Sequence, residues 1–167
     1  MRRIFIISLL CLILTPLARA QSKQQLYAGV ILHIMKYVEW PDYGEEMTVG
    51  VVNDPELVRA LEQASKGKKI HYKNVSIQKV DDINKVEKVD VLFFSKKAHR
   101  DLSPNVTSKA EKQKILVITE EKSAEMQGVA INFYEEKGHM MFELYESNTT
   151  KSGIKVSDQL RKLAVIK

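Results

Sequence analysis

The chain has 167 residues, 44% hydrophobic and 28% charged, with 26 basic and 21 acidic side chains, four histidines and one cysteine. Arg2, Arg3, Arg19 and Cys11 all fall in the first twenty positions, and without that segment 23 basic and 21 acidic residues remain. So small a surplus excludes a nucleic-acid footprint read from charge. A remainder without cysteine excludes disulfides, thiolate metal sites and a cysteine nucleophile.

Met1-Arg2-Arg3, the apolar stretch Ile4 to Leu14 and Ala18-Arg19-Ala20 have the pattern of a secretory signal cleaved after Ala20. The stretch is shorter than the run of about 18 apolar residues that marks a membrane helix. Leu10 before Cys11 is not the small residue of a lipoprotein signal. The expected organisation is a signal peptide over 1–20 and one domain over 21–167, long enough to bury a core without staples.

Residues 23–40 predict a helix from the spacing of Tyr27, Val30, Ile31, Ile34 and Val38, closed by Pro41. Met47 to Asn53 reads as an apolar strand, and Asp54-Pro55 as a capped helix start continued by Leu57, Leu61 and Ala64. Residues 70–80 alternate through Ile70, Tyr72, Val75 and Ile77 as a half-buried strand. Residues 89–95 and 114–119 are nearly continuous apolar runs, as in strands covered on both faces. The segment 96–113 between them reads as partly helical, broken at Ser103-Pro104. Residues 129–134 and 140–145 predict an antiparallel hairpin around 135–138. Ser157 then caps a last helix with Leu160, Leu163 and Ala164 on one face. The fold class expected is α/β: a single-domain, largely parallel sheet flanked by helices, with an antiparallel C-terminal hairpin.

No GxGxxG, P-loop, HExxH, CxxC or GxSxG motif occurs, and His33, His71, His99 and His139 are too widely spaced to suggest a metal site. Neither metal nor cofactor is expected. In open α/β sheets ligands favour the crevice at the carboxyl ends of the strands. Here those ends carry Asn53, Ser95 and Thr119, followed by Asp54, Lys96 and Glu120. These groups could hold a small polar ligand or simply cap helices. Lys66, Lys68 and Lys69 could meet an anion or be solvated surface. On the predicted first helix His33, Tyr37 and Trp40 follow i, i+4, i+7 and share a stripe, facing a ligand or partner or forming a second buried flank. For Trp40, the chain's one tryptophan, core anchoring is the expected role.

The segment ending "KYVEWP", followed in order by "VGVVND", "VDVLFFS", "ILVITEE" and the stretch from "GVAINFYEEKGHMMFELYESNTT" to the end, resembles the YfiR-like periplasmic proteins. The resemblance implies a periplasmic regulator rather than an enzyme. It implies as partner the periplasmic domain of an inner-membrane signalling protein of the diguanylate cyclase type, whose restraint lowers cyclic-di-GMP output and biofilm formation. A small polar ligand and a homodimer are further expected partners; direct membrane insertion after signal cleavage is not. His33 and Tyr145 stand where an asparagine is frequent in the family, and Asp158 where a serine is, which makes Tyr145 a further site candidate. The founding member's cysteines have no counterpart in residues 21–167. The alternative reading is a periplasmic capture module for small molecules. An enzyme using His33, Glu39 or Ser95 would need a base–nucleophile pair that the sequence does not display.

Overall fold

The structure is a computed structural model that describes residues 22–41, 44–86, 88–120 and 128–167. The predicted signal segment and its cleavage site lie outside these residues.

Helix α1 (Lys23–Met35) opens on a capping box in which Ser22 and Gln25 satisfy each other's backbone N–H groups. It buries Tyr27, Ile31, Ile34 and Met35 together with Ala28 and Leu32. That arc is wide because α1 packs on both the sheet and helix α2 (Pro55–Ser65). The helix stops at Met35, not at Trp40 as the spacing predicts. Beyond it, Val38–Glu39 forms strand β1, paired antiparallel with β9 (Lys155–Val156). Ser157 N–H donates to the Tyr37 carbonyl at 2.9 Å. Pairing with a segment far along the chain overrides local helical periodicity here.

The remaining strands are β2 (Glu46–Val52), β3 (Lys69–Ile70), β4 (Lys73–Val80), β5 (Val91–Phe94), β6 (Leu116–Thr119), β7 (Ile131–Glu136), β8 (His139–Leu144) and β10 (Val165–Ile166). They form one sheet in the order β10-β8-β7-β6-β5-β2-β4-β3. Strands β4, β2, β5, β6 and β7 run parallel; β8 is antiparallel to β7, and β3 to β4. The predicted α/β class and the C-terminal hairpin are both present. Residues of β5 and β6 are buried throughout, as strands covered on both faces require. Helices α1 and α2 cover one face with Phe93, Leu116 and Ile118. On the other, Phe94, Leu92 and Val117 pack beneath the 3-10 turn Lys96–Asp101 and helix α3 (Pro104–Lys112). At Gly128 a Cβ would come within 2.6 Å of Thr107 Cβ, so α3 closes on the chain entering β7 only because that position has no side chain.

Three further expectations change. Tyr72 is not half-buried within a strand: it is 97% exposed at the β3–β4 turn. The last helix, α5, is a single turn (Asp158–Arg161) capped by Ser157 and followed by β10. It buries Leu160 but leaves Leu163 58% exposed. Helix α4 (Glu146–Lys151), β9 and β10 are additional elements that the periodicity did not announce.

Trp40 is 4% exposed, and its indole Nε1 donates to the Asp90 carbonyl at 3.1 Å. Asp90 sits between strands: its N–H donates to the Thr48 carbonyl, its carbonyl also accepts from Leu116 N–H, and its carboxylate accepts from Thr48 N–H at 2.7 Å. Trp40→Ala is expected to cost roughly 3–5 kcal/mol, and a loss below about 1 kcal/mol in chemical denaturation would contradict an anchor. Leu160→Ala should cost about 2–5 kcal/mol, whereas Leu163→Ala should stay within about 0.5 kcal/mol.

Candidate functional site

Six of the seven residues expected to carry function fall into three places, and the seventh, Trp40, lies in the core. Asn53 and Ser95 follow β2 and β5, which are neighbours whose outgoing connections leave in opposite directions, β2 through α2 to β4 and β5 through α3 to β6. Such a switch point is where open parallel sheets hold ligands. A crevice of about 330 Å³ opens there, lined by Tyr27, Asn53, Asp54, Ser95, Lys96 and Glu120 among others. Asp54 caps α2 by accepting from Leu57 N–H at 3.0 Å, and Asn53, in the left-handed region at φ 51°, donates from Nδ2 to Asp101 at 2.8 Å. Ser95 is 4% exposed, and among the described residues its hydroxyl has no hydrogen-bond partner.

Across the crevice Lys23 pairs with Glu120 and lies 5.2 Å from the Tyr27 ring centroid. Burial, and then the Glu120 charge, push the Tyr27 phenol up to about 12, so it stays a neutral donor. Burial, the largest effect, pulls the Lys23 ammonium down, but the hydrogen bond and charge of Glu120 together with the neighbouring Tyr27 outweigh it, and the group ends raised. The result ties the start of α1 to the end of β6.

Thr119 and Tyr145 form the second place, joined by two residues the sequence reading missed. Thr119, Asn132 and Glu143 are register partners across β6, β7 and β8. Thr119 Oγ1 donates to Asn132 Oδ1, Asn132 Nδ2 donates to Glu143 Oε2, and Tyr145 OH donates to the same oxygen, each at 3.0 Å. Lys167 Nζ stands 3.3 Å from Glu143 Oε1. The available signal was a polar residue inside an apolar strand: Asn132 between Ile131 and Phe133. Burial pushes the Glu143 carboxyl up, but the bonds from Asn132, Tyr145 and Lys167 outweigh it and hold it below the ordinary glutamate value.

His33 and Tyr37 make the third place, at the C-terminal end of α1. Their rings meet edge to face with centroids 4.9 Å apart, His33 exposed and Tyr37 half-buried. Trp40 does not continue this stripe, because the helix has ended and its ring points into the core. Tyr37 borders a hollow with His71, Ser157 and Arg161. His71 Nε2 lies 3.0 Å from the Met35 carbonyl and 2.9 Å from that of Val38, binding the end of α1 to the β3–β4 turn. Among the described residues no cluster of three or more His, Cys, Asp or Glu could hold a metal.

Residues 24–165 match the family described as YfiR/HmsC-like. The chain belongs to that family. Among solved structures, this YfiR/HmsC-like chain is similar to a conserved domain protein from Vibrio cholerae O1 biovar eltor str. N16961, with a TM-score of 0.59 and 14% identity. The alignment covers 87% of this chain and 60% of that one, so this chain spans less than two thirds of the other protein, and at that identity the likeness concerns the fold alone. The comparison with curated proteins gives no match. Among the described residues, no helix is long and apolar enough to cross a membrane.

The polar ladder makes a pH-dependent prediction. A carboxyl whose folded pKa is lowered stabilises the fold above its unfolded pKa, and that contribution is lost as pH falls through the lowered value. The parent should therefore exceed Glu143→Gln in thermal stability at neutral pH, with the gap closing well below the ordinary value of 4.5. A gap of equal size across the acid range would show that the charge on Glu143 contributes nothing.

Proposed function

We propose that this chain is an exported regulator that restrains a membrane-bound signalling protein of the diguanylate cyclase type by engaging its periplasmic domain. The observation that carries the reading is the family match, which runs from the first turn of α1 to the last strand. The ring pair of His33 and Tyr37 supplies a polar-tipped aromatic contact at the end of α1. His71 holds the backbone beneath it, so a partner would meet a preformed surface and lose little in ordering it. The crevice at Asn53 and Ser95 is the place for a small polar effector. Ligand there would contact Lys23, Tyr27 and Glu120, and so act on the start of the helix whose other end carries the ring pair.

The test pairs the chain with a candidate cyclase and reads cyclic-di-GMP while periplasmic protein levels are measured. Repression should weaken in His33→Ala and in Tyr37→Ala. The exposed His33 should cost under about 1 kcal/mol of stability. Unchanged output from both variants at normal protein levels would remove this face from the mechanism, and unchanged output from the parent would reject the cyclase reading. Reductant should alter neither melting nor repression, because residues 21–167 contain no cysteine.

A further inference from the structure

The tertiary structure gathers cations that the sequence scatters. At the C-terminal end of α1, Lys36 and His33 share a hollow of about 310 Å³ with Lys68 from the α2–β3 connection and Lys69 of β3. Its floor is apolar, from Leu32 and Ile70, and no carboxylate is among the described residues that line it; Glu39 and Asp158 line the next hollow with Lys36, and Glu62 the next with Lys68. Residues 21–167 as a whole carry almost as many acids as bases, so this hollow is a local departure from a balanced surface.

Beside it stands the β3–β4 turn, in which Ile70 pairs with Lys73 across His71 and Tyr72. Both turn residues occupy the left-handed region, at φ 50° and 66°. A two-residue hairpin turn asks for Asn or Gly at such positions, and bulky residues are strained there. His71 has a structural reason to be present, since its ring binds the end of α1. Tyr72 has none: its side chain is 97% exposed and fills no space in the fold. The protein therefore holds an aromatic ring with a polar tip fully in solvent, in a costly backbone conformation, next to a carboxylate-free hollow of three lysines.

We infer that this face docks on an anionic phospholipid surface. The lysines would meet lipid phosphates, where each cation near the surface adds to the attraction. The Tyr72 ring would enter the headgroup layer, the position that amphipathic aromatic side chains favour at membrane–water boundaries. An acidic protein surface would also suit the lysines, but a stable protein interface needs an apolar core, and among the described residues the other exposed large hydrophobic side chains lie elsewhere: Leu26 at the start of α1, and Leu163, Val165 and Ile166 at or beside β10, at the opposite edge of the sheet from β3. The proposal goes beyond the regulatory reading and does not depend on it, because the test contains no signalling partner.

The experiment is flotation of the purified chain, residues 21–167, with vesicles of phosphatidylcholine alone or of an equal mixture with phosphatidylglycerol. Binding should appear on the mixed vesicles, be absent from the neutral ones and weaken between about 50 mM and about 300 mM salt as screening grows. The double variant Lys68→Glu, Lys69→Glu should lose binding at least about tenfold. Tyr72→Gly should lose it several-fold while melting no lower than the parent, because glycine relieves the left-handed strain. That pairing separates lost docking from lost folding. No binding to the mixed vesicles at low salt would overturn the proposal, as would binding that both variants retain. Capture by immobilised poly-glutamate without any vesicle binding would also overturn it, and would assign the face to an acidic protein.

Discussion

Strands β5 and β6 are buried at every residue, and β2 at five of its seven. A sheet whose centre is apolar on both faces must be covered twice, and most of the architecture follows from that requirement. Helices α1 and α2 provide the thicker cover; α3 and the 3-10 turn Lys96–Asp101 provide the thinner one. The helices start where the strands end. Side chains at those junctions either cap a helix, as Asp54 does, or remain beside the crevice, as Ser95 does. The crevice is thus a by-product of parallel connectivity before it is a site.

One register row shows how the sheet passes from core to polar ladder. Val80, Val52, Phe94, Thr119, Asn132 and Glu143 lie side by side across six strands. The first three belong to the apolar cluster beneath α3. The last three replace packing with hydrogen bonds that end on a carboxylate. Asn132 is completely buried, so its amide must be paired or cost the fold the full desolvation penalty. Glu143 meets that demand from one side and Thr119 from the other. Tyr145 and Lys167, sharing Glu143, fasten the start of α4 and the chain's last residue to the same point. This gives Tyr145 a structural role alongside its candidacy as a site residue.

The end of α1 is where elements distant in sequence meet. Strand β1 pairs with β9, and His71 binds two carbonyls of the α1–β1 junction. Tyr37 is held by the Ser157 backbone. Several left-handed residues elsewhere suit their surroundings; Lys137-Gly138 makes the β7–β8 turn with a glycine at its second position. His71-Tyr72 makes a comparable turn without one, and the lost backbone freedom is offset by the contact that His71 makes with α1.

The sequence by itself determined the order of the main strands and helices, the parallel centre, the hairpin near the end and the caps at Asp54 and Ser157. Each depends on residues close together: a continuous apolar run, an alternating one, or a side chain that reaches a backbone N–H three residues on. Only the tertiary structure decided that α1 stops at Met35, because Val38 finds Val156 as a partner. It also decided that Leu163 faces solvent, because the chain turns from one turn of helix into β10. The same holds for the sites. Asn53 and Ser95 were legible as strand ends, but the ladder through Asn132 and Glu143 exists only in register across three strands. The lysine hollow exists only because α1 and β3 stand side by side. Local pattern fixes which residues can form an element, whereas pairing between remote segments fixes which side chains share a surface.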